Sequence, residues 1–283
     1  MTQVQAFAPA KVNLTLHVTG RRGDGYHLLD SLVVFAGIGD DITASPAPDL
    51  TLAIEGPRAA GVPTDGSNLV LRAAQTLDPA GTAAITLTKR LPAAAGIGGG
   101  SSDAAAALRA LSLLWARPLP APEQTAHLGA DVPVCLHPRA TRMSGIGDTL
   151  SPIPALPDAA ILLVNPGLDV QTSAVFAALH CRDMPPMPKA LPQWRTLHDF
   201  AQWLGQQRND LQPAAITLCP TIAQVLAAIA DTQPAYHAMS GSGATCFGLY
   251  PDLATAEHAA IALRRAHPAW WAQAGALLDE QGA

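Results

Sequence analysis

The sequence predicts an α+β fold in two domains, on the basis of three observations. Its 283 residues exceed the length at which one hydrophobic core usually stops growing. Segments with the alternating pattern of strands are mixed along the chain with segments of helical spacing. Pro152, Pro154 and Pro157 interrupt both patterns near the middle, where prolines and short connections typically separate domains. The predicted domains are therefore residues 1–153 and 154–283.

Composition and charge indicate a globular protein and give no sign of binding to nucleic acid or membranes. Hydrophobic residues make up 49% of the chain and charged residues 14%, which provides sizeable cores and differs from disordered compositions. The net charge of −5 offers no basic surface for nucleic acid or an anionic membrane. The N-terminus lacks a signal-peptide pattern, and no apolar run reaches about 18 residues. We therefore expect a cytoplasmic protein with neither nucleic acid nor membrane as partner. The sequence leaves the oligomeric state open, and either a monomer or a homodimer is expected.

The first predicted element is a strand over residues 11–18. Apolar and polar residues alternate there, as in a half-buried strand. Lys11 and Asn13 then project from the same face, two residues apart, where both can reach one ligand. An isolated pair of this kind is more often a solvated strand face, so the pattern leaves both interpretations open.

A turn and a second strand follow. Residues 20–25, GRRGDG, have the composition of a turn, and Tyr26 and His27 open an apolar segment over residues 28–38. Further elements are predicted as strands over 50–54 and 84–88 and a helix over 68–77 that Ser67 or Asn68 caps.

Residues 92–107, PAAAGIGGGSSDAAAA, place a glycine-rich loop directly before a helical run, and four of the five residues 96–100 are glycine. Glycine lets the backbone approach a ligand closely, and Ser101 or Ser102 is the expected cap of a helix that ends near Trp115. The N–H groups of a first helical turn attract anions. The loop lacks the lysine of the Walker motif and the third glycine of the dinucleotide fingerprint. It therefore predicts a phosphate site of another kind, or a simple tight connection.

Residues 129–133, GADVP, contain the only carboxylate of an apolar neighbourhood, Asp131. A short helix is predicted just before them, over 123–127. A buried aspartate without a partner is unfavourable. We therefore expect a cation, a hydrogen-bond donor or a ligand beside Asp131.

The second half of the chain alternates strands with helices. A glycine-rich turn at residues 240–243, SGSG, is predicted to belong to a hairpin. The remaining predicted elements are strands over 159–164, 246–250 and 270–278 and helices over 172–179, 198–205, 210–218, 221–230 and 254–266.

Four segments in this order together resemble the GHMP small-molecule kinases. They are residues 9–14 (PAKVNL), 92–102, 129–133 and 240–245 (SGSGAT). With GDGYH and RNDL added, the set is similar to the branch of this family whose substrate is 4-diphosphocytidyl-2-C-methyl-D-erythritol, an intermediate of the non-mevalonate isoprenoid pathway. The likeness extends over nearly the whole chain.

This resemblance implies a two-domain GHMP kinase fold with the active site between the domains. The N-terminal domain would be ribosomal protein S5 domain 2-like and the C-terminal domain a ferredoxin-like α/β sandwich. The implied reaction is transfer of the γ-phosphoryl group of ATP to the 2-hydroxyl of the substrate, with ATP and Mg²⁺ as cofactors. The residues that hold the metal are left open.

The resemblance also implies roles for individual residues. Asp131 matches the carboxylate that accepts the proton of the attacking hydroxyl, and Lys11 matches the lysine beside it. The implied ATP-binding residues are Asn68, Lys89, Pro92, Ala93, Ala94, Ala95, Gly96, Ile97, Gly98, Gly99, Gly100, Ser101, Ser102 and Asp103.

The implied substrate-binding residues are Asn13, Tyr26, His27, Thr172, Phe176, Gly241 and Ser242. His27 would read the edge of the cytosine, and Phe176 would stack on the base from the other side. Without the resemblance, Phe176 would be interpreted as a core residue of a short helix. Two further alternatives are another GHMP kinase, of the homoserine or mevalonate type, and a non-catalytic relative that binds a metabolite.

Overall fold

The computed structural model describes residues 3–93 and 95–278 and confirms the α+β class. The strands are β1 (Val4–Asn13), β2 (His17–Arg21), β3 (His27–Ser45), β4 (Thr51–Glu55), β5 (Ala84–Thr88), β6 (Thr141–Gly145), β7 (Thr149–Ser151), β8 (Ala160–Asn165), β9 (Tyr236–Met239), β10 (Cys246–Tyr250) and β11 (Trp271–Leu278). The helices are α1 (Leu69–Leu77), α2 (Gly99–Leu114), α3 (Pro122–Thr125), α4 (Val132–Leu136), α5 (Thr172–Ala177), α6 (Leu197–Leu204), α7 (Gln212–Leu218), α8 (Thr221–Ala230) and α9 (Leu253–Ala266).

The chain forms two compact units. Within the described residues, unit 1 combines residues 3–10, 39–93 and 98–138, and unit 2 combines the others. The long strands β1 and β3 each contribute residues to both units. The division of the sequence into domains 1–153 and 154–283 stays a prediction.

Unit 1 packs two helices against a small sheet. The second half of β3 pairs antiparallel with β5, and β4 pairs parallel with β5. The alanine-rich face of α2 and the apolar face of α1 bury their side chains against this sheet. Asn68 caps α1, since its Oδ1 accepts a hydrogen bond of 2.9 Å from the Val70 N–H, as predicted.

Unit 2 is built on an antiparallel sheet in which β8 lies between β10 and β11, and β9 pairs with β10 as the predicted hairpin. Every residue of β8 is buried, as expected for a central strand. The helices α8 and α9 contribute apolar side chains to its core. The first half of β3 pairs with β2, β6 and the end of β11.

The predicted strand over residues 11–18 is wrong in its middle. β1 ends at Asn13 and β2 begins at His17, because the chain between them bends away. The Thr15 hydroxyl accepts the Leu32 N–H at 2.9 Å and thereby replaces a strand partner. The polar face is also not solvated, since Lys11 is 4% exposed and Asn13 is 1% exposed.

Candidate active site

The glycine-rich loop ends in a left-handed residue, and the helix begins earlier than predicted. Gly98 has φ 62° and occupies the N-cap position of α2, which starts at Gly99. The prediction that Ser101 or Ser102 caps the helix is wrong: both lie inside its first turn, and Ser102 Oγ instead donates to the Pro9 carbonyl at 2.7 Å. Within the described residues no side chain caps α2. Its first N–H groups can therefore serve as donors to a bound anion.

The middle of the loop is held by the second glycine-rich turn. Gly96 has φ +70°, and a Cβ added there would lie 2.7 Å from the Gly243 carbonyl oxygen and 2.8 Å from that of Ser240. Ser240 Oγ donates to the Gly96 carbonyl at 3.0 Å. On the other side, the Lys11 N–H donates to the Ile97 carbonyl at 3.0 Å. The PAKVNL and SGSGAT segments thus fix the same stretch of loop in unit 2.

The predicted phosphate loop also includes Ala94 and Ala95, of which the structure describes only Ala95. Ala95 is buried, and its carbonyl accepts the Thr245 N–H at 3.3 Å. Ala94 lies outside the described residues.

Gly96→Ala is expected to lower the free energy of unfolding by at least about 2 kcal/mol, because the Cβ meets backbone atoms and the left-handed conformation disfavours a side chain. Gly100→Ala is the matched control in the same motif. A Cβ at Gly100 would have only an ordinary contact of 3.7 Å with Leu69, and alanine favours the helix by about 1 kcal/mol over glycine. Urea denaturation of both variants measures the difference. Equal effects would contradict the close seating of Gly96.

Asp131 stands at the N-cap position of α4, a helix of 5 residues that is buried throughout. The turn that carries it lies beside the start of α2, since a Cβ added at Gly129 would be 3.5 Å from Ser101 Oγ. Pro133 in the first turn of α4 has the conformation that a helix start requires. Asp131 as a whole is partly buried. Unit 1 therefore brings Asp131 near the first turn of the loop's own helix.

A second group of predicted residues meets in unit 2. The Asn13 N–H donates to Ser240 Oγ at 3.1 Å, and Asn13 Oδ1 would lie 3.4 Å from a Cβ at Gly241. The hydroxyls of Thr172 and Ser242 are 2.9 Å apart. The predicted substrate residues Asn13, Thr172, Gly241 and Ser242 therefore all lie on or beside the SGSGAT turn.

The predicted aromatic residues form a pair. The rings of His27 and Phe176 are stacked with centroids 4.6 Å apart, which leaves no room for a base between these two rings. Burial lowers the pKa of His27, and the charges of Arg21 and Arg182 lower it further. His27 Nε2 is buried and has no hydrogen-bond partner within the described residues. The lowered pKa favours the neutral imidazole, and one of its ring nitrogens has no partner among the described residues.

Tyr26 and Phe176 differ in exposure. Tyr26 is 62% exposed, whereas Phe176 is partly buried against the core of unit 2. Phe176 is therefore both a core residue and one member of the ring pair. Contact of the exposed Tyr26 ring with a base stays a prediction.

The residues predicted near the adenosine are engaged inside unit 1. Lys89 Nζ lies 2.5 Å from Asp40 Oδ2 and 2.7 Å from Asp103 Oδ2, and all three side chains are buried. Asp40 also accepts the main-chain N–H of Arg90 at 2.5 Å. Both polar atoms of the Asn68 amide are used by main-chain partners. Contacts of these side chains with ATP stay a prediction.

Asp40 was not predicted as a site residue. The sequence signal for it was an acidic pair, Asp40 and Asp41, directly after a run of apolar residues and glycines in β3. The Asp40 carboxylate ties the segment that leads into the glycine loop to β3, and Lys89 connects it to Asp103 on α2. The ion triad of Asp40, Lys89 and Asp103 thus holds the chain on both sides of the loop.

The triad makes stability depend on pH. Burial raises the pKa of Asp103 to about 7, with a contribution from the charge of Asp40, although Lys89 opposes the shift. The folded protein therefore binds this proton more tightly than the unfolded chain. The resulting stability is complete below the unfolded pKa of about 4 and is lost as pH rises through about 7. Burial alone would lower the pKa of Lys89, but the two carboxylates outweigh burial and raise it, so Lys89 stays charged in this range.

We expect the free energy of unfolding to fall between about pH 4 and 7, by up to about 1.4 kcal/mol per pH unit midway between the unfolded and folded pKa values of Asp103 and by about half that near pH 7. Asp103→Asn should remove most of this slope, because the amide does not titrate. Urea denaturation of both proteins at several pH values measures it. Identical slopes would show that Asp103 does not titrate in this range.

Two sequence profiles match the chain: GHMP kinases N terminal domain over residues 68–151, and GHMP kinases C terminal over residues 188–269. A 4-diphosphocytidyl-2-C-methyl-D-erythritol kinase from Ruegeria pomeroyi is 57% identical over 277 residues, covering 97% of this chain and 99% of that one. The kinase of the same name from Cereibacter sphaeroides is 58% identical over 269 residues, covering 94% and 96%.

A crystal structure of 4-(cytidine 5'-diphospho)-2C-methyl-D-erythritol kinase is similar with a TM-score of 0.77 and 34% identity, covering 96% of this chain and 98% of that one. The predicted two-domain GHMP kinase fold is confirmed by these matches. Within residues 3–93 and 95–278, no helix combines the length and the hydrophobicity that a bilayer span requires. From its sequence over almost its full length and from its fold, the chain belongs to the 4-diphosphocytidyl-2-C-methyl-D-erythritol kinase family of the GHMP kinases.

Proposed function

We propose that this kinase transfers the γ-phosphoryl group of ATP to the 2-hydroxyl of 4-diphosphocytidyl-2-C-methyl-D-erythritol. The observation that carries the proposal is the uncapped start of α2 behind a glycine loop that the SGSGAT turn holds in place. Such a loop presents N–H groups and the positive end of a helix to phosphates. Because ATP is the co-substrate, we place the reaction in the cytoplasm.

The chemistry of the transfer would be divided between two side chains. Asp131 would accept the proton of the attacking hydroxyl. Lys11 would stabilise the negative charge that develops on the alkoxide. That these two side chains lie beside each other stays a prediction. Phosphoryl transfer depends mainly on such positioning and charge stabilisation, since little covalent chemistry falls to the protein.

The residues near the loop fit a magnesium ion shared with the nucleotide. No cluster of three or more His, Cys, Asp or Glu residues that could hold a metal occurs in the described part of the chain. Mg²⁺ in kinases usually takes one or two protein ligands and completes its shell with phosphates and water. The Ser101 hydroxyl, close to the turn that carries Asp131, would supply one such ligand. When bound, the ion neutralises phosphate charge.

Selection of cytidine would come from His27 and Tyr26 in unit 2. His27 would bond to the edge of a base through Nε2, which has no hydrogen-bond partner within the described residues, and a site built to pair with such an edge rejects bases that lack the matching group. Tyr26 would stack on the base from the exposed side. Homoserine and mevalonate contain no base, so a kinase specific for either would not need these residues.

The proposal is tested by measuring ADP release with three alcohols: the cytidylated substrate, homoserine and mevalonate. We expect rapid release with the first and only background ATPase activity with the others. Equal or faster turnover of homoserine or mevalonate would establish another GHMP kinase. Tight binding of the cytidylated compound with no ADP release would establish a non-catalytic relative. We expect the protein to be a monomer or a homodimer, and its molar mass from light scattering distinguishes the two.

His27→Ala should raise KM for the cytidylated substrate by about 10-fold or more while leaving KM for ATP nearly unchanged, because only the base loses a partner. His258→Ala, on the exposed face of α9, is the control for loss of an imidazole elsewhere. Steady-state kinetics with each substrate varied in turn gives both constants. An equal rise in both KM values would count against a cytosine contact.

A further inference from the structure

Arg109 lies in the middle of α2 and uses its guanidinium to connect three elements of unit 1. Nη1 donates to the carbonyls of Cys135 and Leu136 at 2.8 and 3.3 Å, and Nη2 donates to the carbonyl of Phe7 at 2.7 Å. The side chain is only partly exposed. A planar fork of donors suits this task, because it can serve carbonyls in two directions at once.

The two carbonyls of α4 are those that need an external partner. Cys135 and Leu136 are the last residues of α4. Carbonyls in the last turn of a helix receive no hydrogen bond from within that helix. A positive charge at this end also favours the helix dipole. Since α4 has 5 residues and isolated helices of this length are unstable in water, its geometry depends on such contacts. Asp131 is the residue immediately before α4.

The Phe7 contact fixes the other end of the guanidinium. Ser102, seven residues before Arg109 and on the same face of α2, donates to the carbonyl of Pro9 at 2.7 Å. Two points of α2 are therefore attached to neighbouring residues of β1. This leaves α2 little freedom to shift, and Arg109 transmits its position to α4.

We infer that Arg109 is a positioning residue, which sets the place of Asp131 relative to the glycine-loop end of α2 without touching either substrate. The inference rests on the proposed role of Asp131 as proton acceptor. Nucleotide binding should depend little on Arg109, because the glycine-rich loop is held in place by other residues. Turnover should depend on it strongly, because small misplacements of a catalytic group slow a reaction.

The test compares Arg109→Met, which keeps the packing of the stem, with Arg109→Lys, which keeps the charge. Arg265→Met, on the exposed last turn of α9, is the matched control. We expect Arg109→Met to lower kcat by about 10-fold or more with KM for ATP nearly unchanged, and Arg109→Lys to recover part of the loss. Thermal unfolding and calorimetric measurement of ATP binding show whether each variant is folded. If Arg109→Met does not fold, Arg109→Lys alone carries the comparison.

A double-mutant cycle separates positioning from a general structural role. In an Asp131→Asn background, Arg109→Met should lower the residual rate by less than about twofold, because the group it positions no longer accepts a proton. The same loss of about 10-fold in both backgrounds, or a parallel rise in KM for ATP, would overturn the inference. Full turnover by Asp131→Asn alone would instead refute the proposed role of Asp131, and the inference with it.

Discussion

Asp131→Asn is expected to lower kcat by about 10²- to 10⁴-fold, the range that positioned acid–base groups contribute. The amide has the size of the carboxylate but cannot take the proton of the attacking hydroxyl. The turn should keep its shape, since α4 is fixed at its far end by contacts of the Arg109 guanidinium. Both substrates should therefore still bind. Rapid-quench measurement of a single turnover, with calorimetry for each ligand, separates the two effects.

Asp158→Asn is the control, because it removes one negative charge from an exposed position. It should leave kcat unchanged. If Asp131→Asn retained most of its turnover, another group would have to accept the proton. If instead the wild-type protein bound both ligands without reaction, the non-catalytic alternative would hold.

The second large effect concerns stability. Lys89→Met should lower the free energy of unfolding by about 3–5 kcal/mol, because two buried carboxylates would lose the ammonium that they share. The side chains of Asp40 and Asp103 are 0% and 5% exposed. Neither can recover its hydration while the protein stays folded. Urea denaturation at pH 7 measures the loss.

Arg90→Met is an unusually close control, since it breaks an ion pair one residue along the chain. Arg90 pairs with Asp41, but these side chains are 41% and 40% exposed. Water screens such pairs, so the loss should stay below about 1 kcal/mol. Similar losses for the two variants would show that Lys89 does not hold the loop as described.

Elements with a strong local pattern could be predicted from the sequence. Helix α1 begins at the expected cap, Asn68, because an asparagine side chain can satisfy N–H groups within its own turn. The hairpin of β9 and β10 follows from alternating residues around a glycine turn. These signals are contained in a few neighbouring residues, and no distant contact overrides them.

Elements that depend on distant partners could not be predicted. The strand over residues 11–18 breaks because Thr15 finds a partner on β3. β6 and β7 were missed, since the short polar segment over 141–151 has no alternating pattern of its own. Ser102 reads as a cap in the sequence, yet its hydroxyl serves Pro9, 93 positions away.

The candidate site shows the same division. The resemblance indicated Lys11, Asp131 and the glycine loop, since motifs with a fixed spacing carry that information. It could not indicate Asp40 or Arg109, whose partners are main-chain groups and side chains far along the chain. Such supporting residues have no motif of their own, because many local sequences can place a carboxylate or a guanidinium at the same point.

Proton-coupled phosphorus NMR of the product shows whether the phosphate has been transferred to the 2-hydroxyl of the substrate. Carbon 2 of the substrate carries a methyl group and no hydrogen. A new phosphate monoester there should give a phosphorus signal without splitting by a carbinol proton. A triplet would place the phosphate on carbon 1 and a doublet on carbon 3, and either would contradict the proposed reaction.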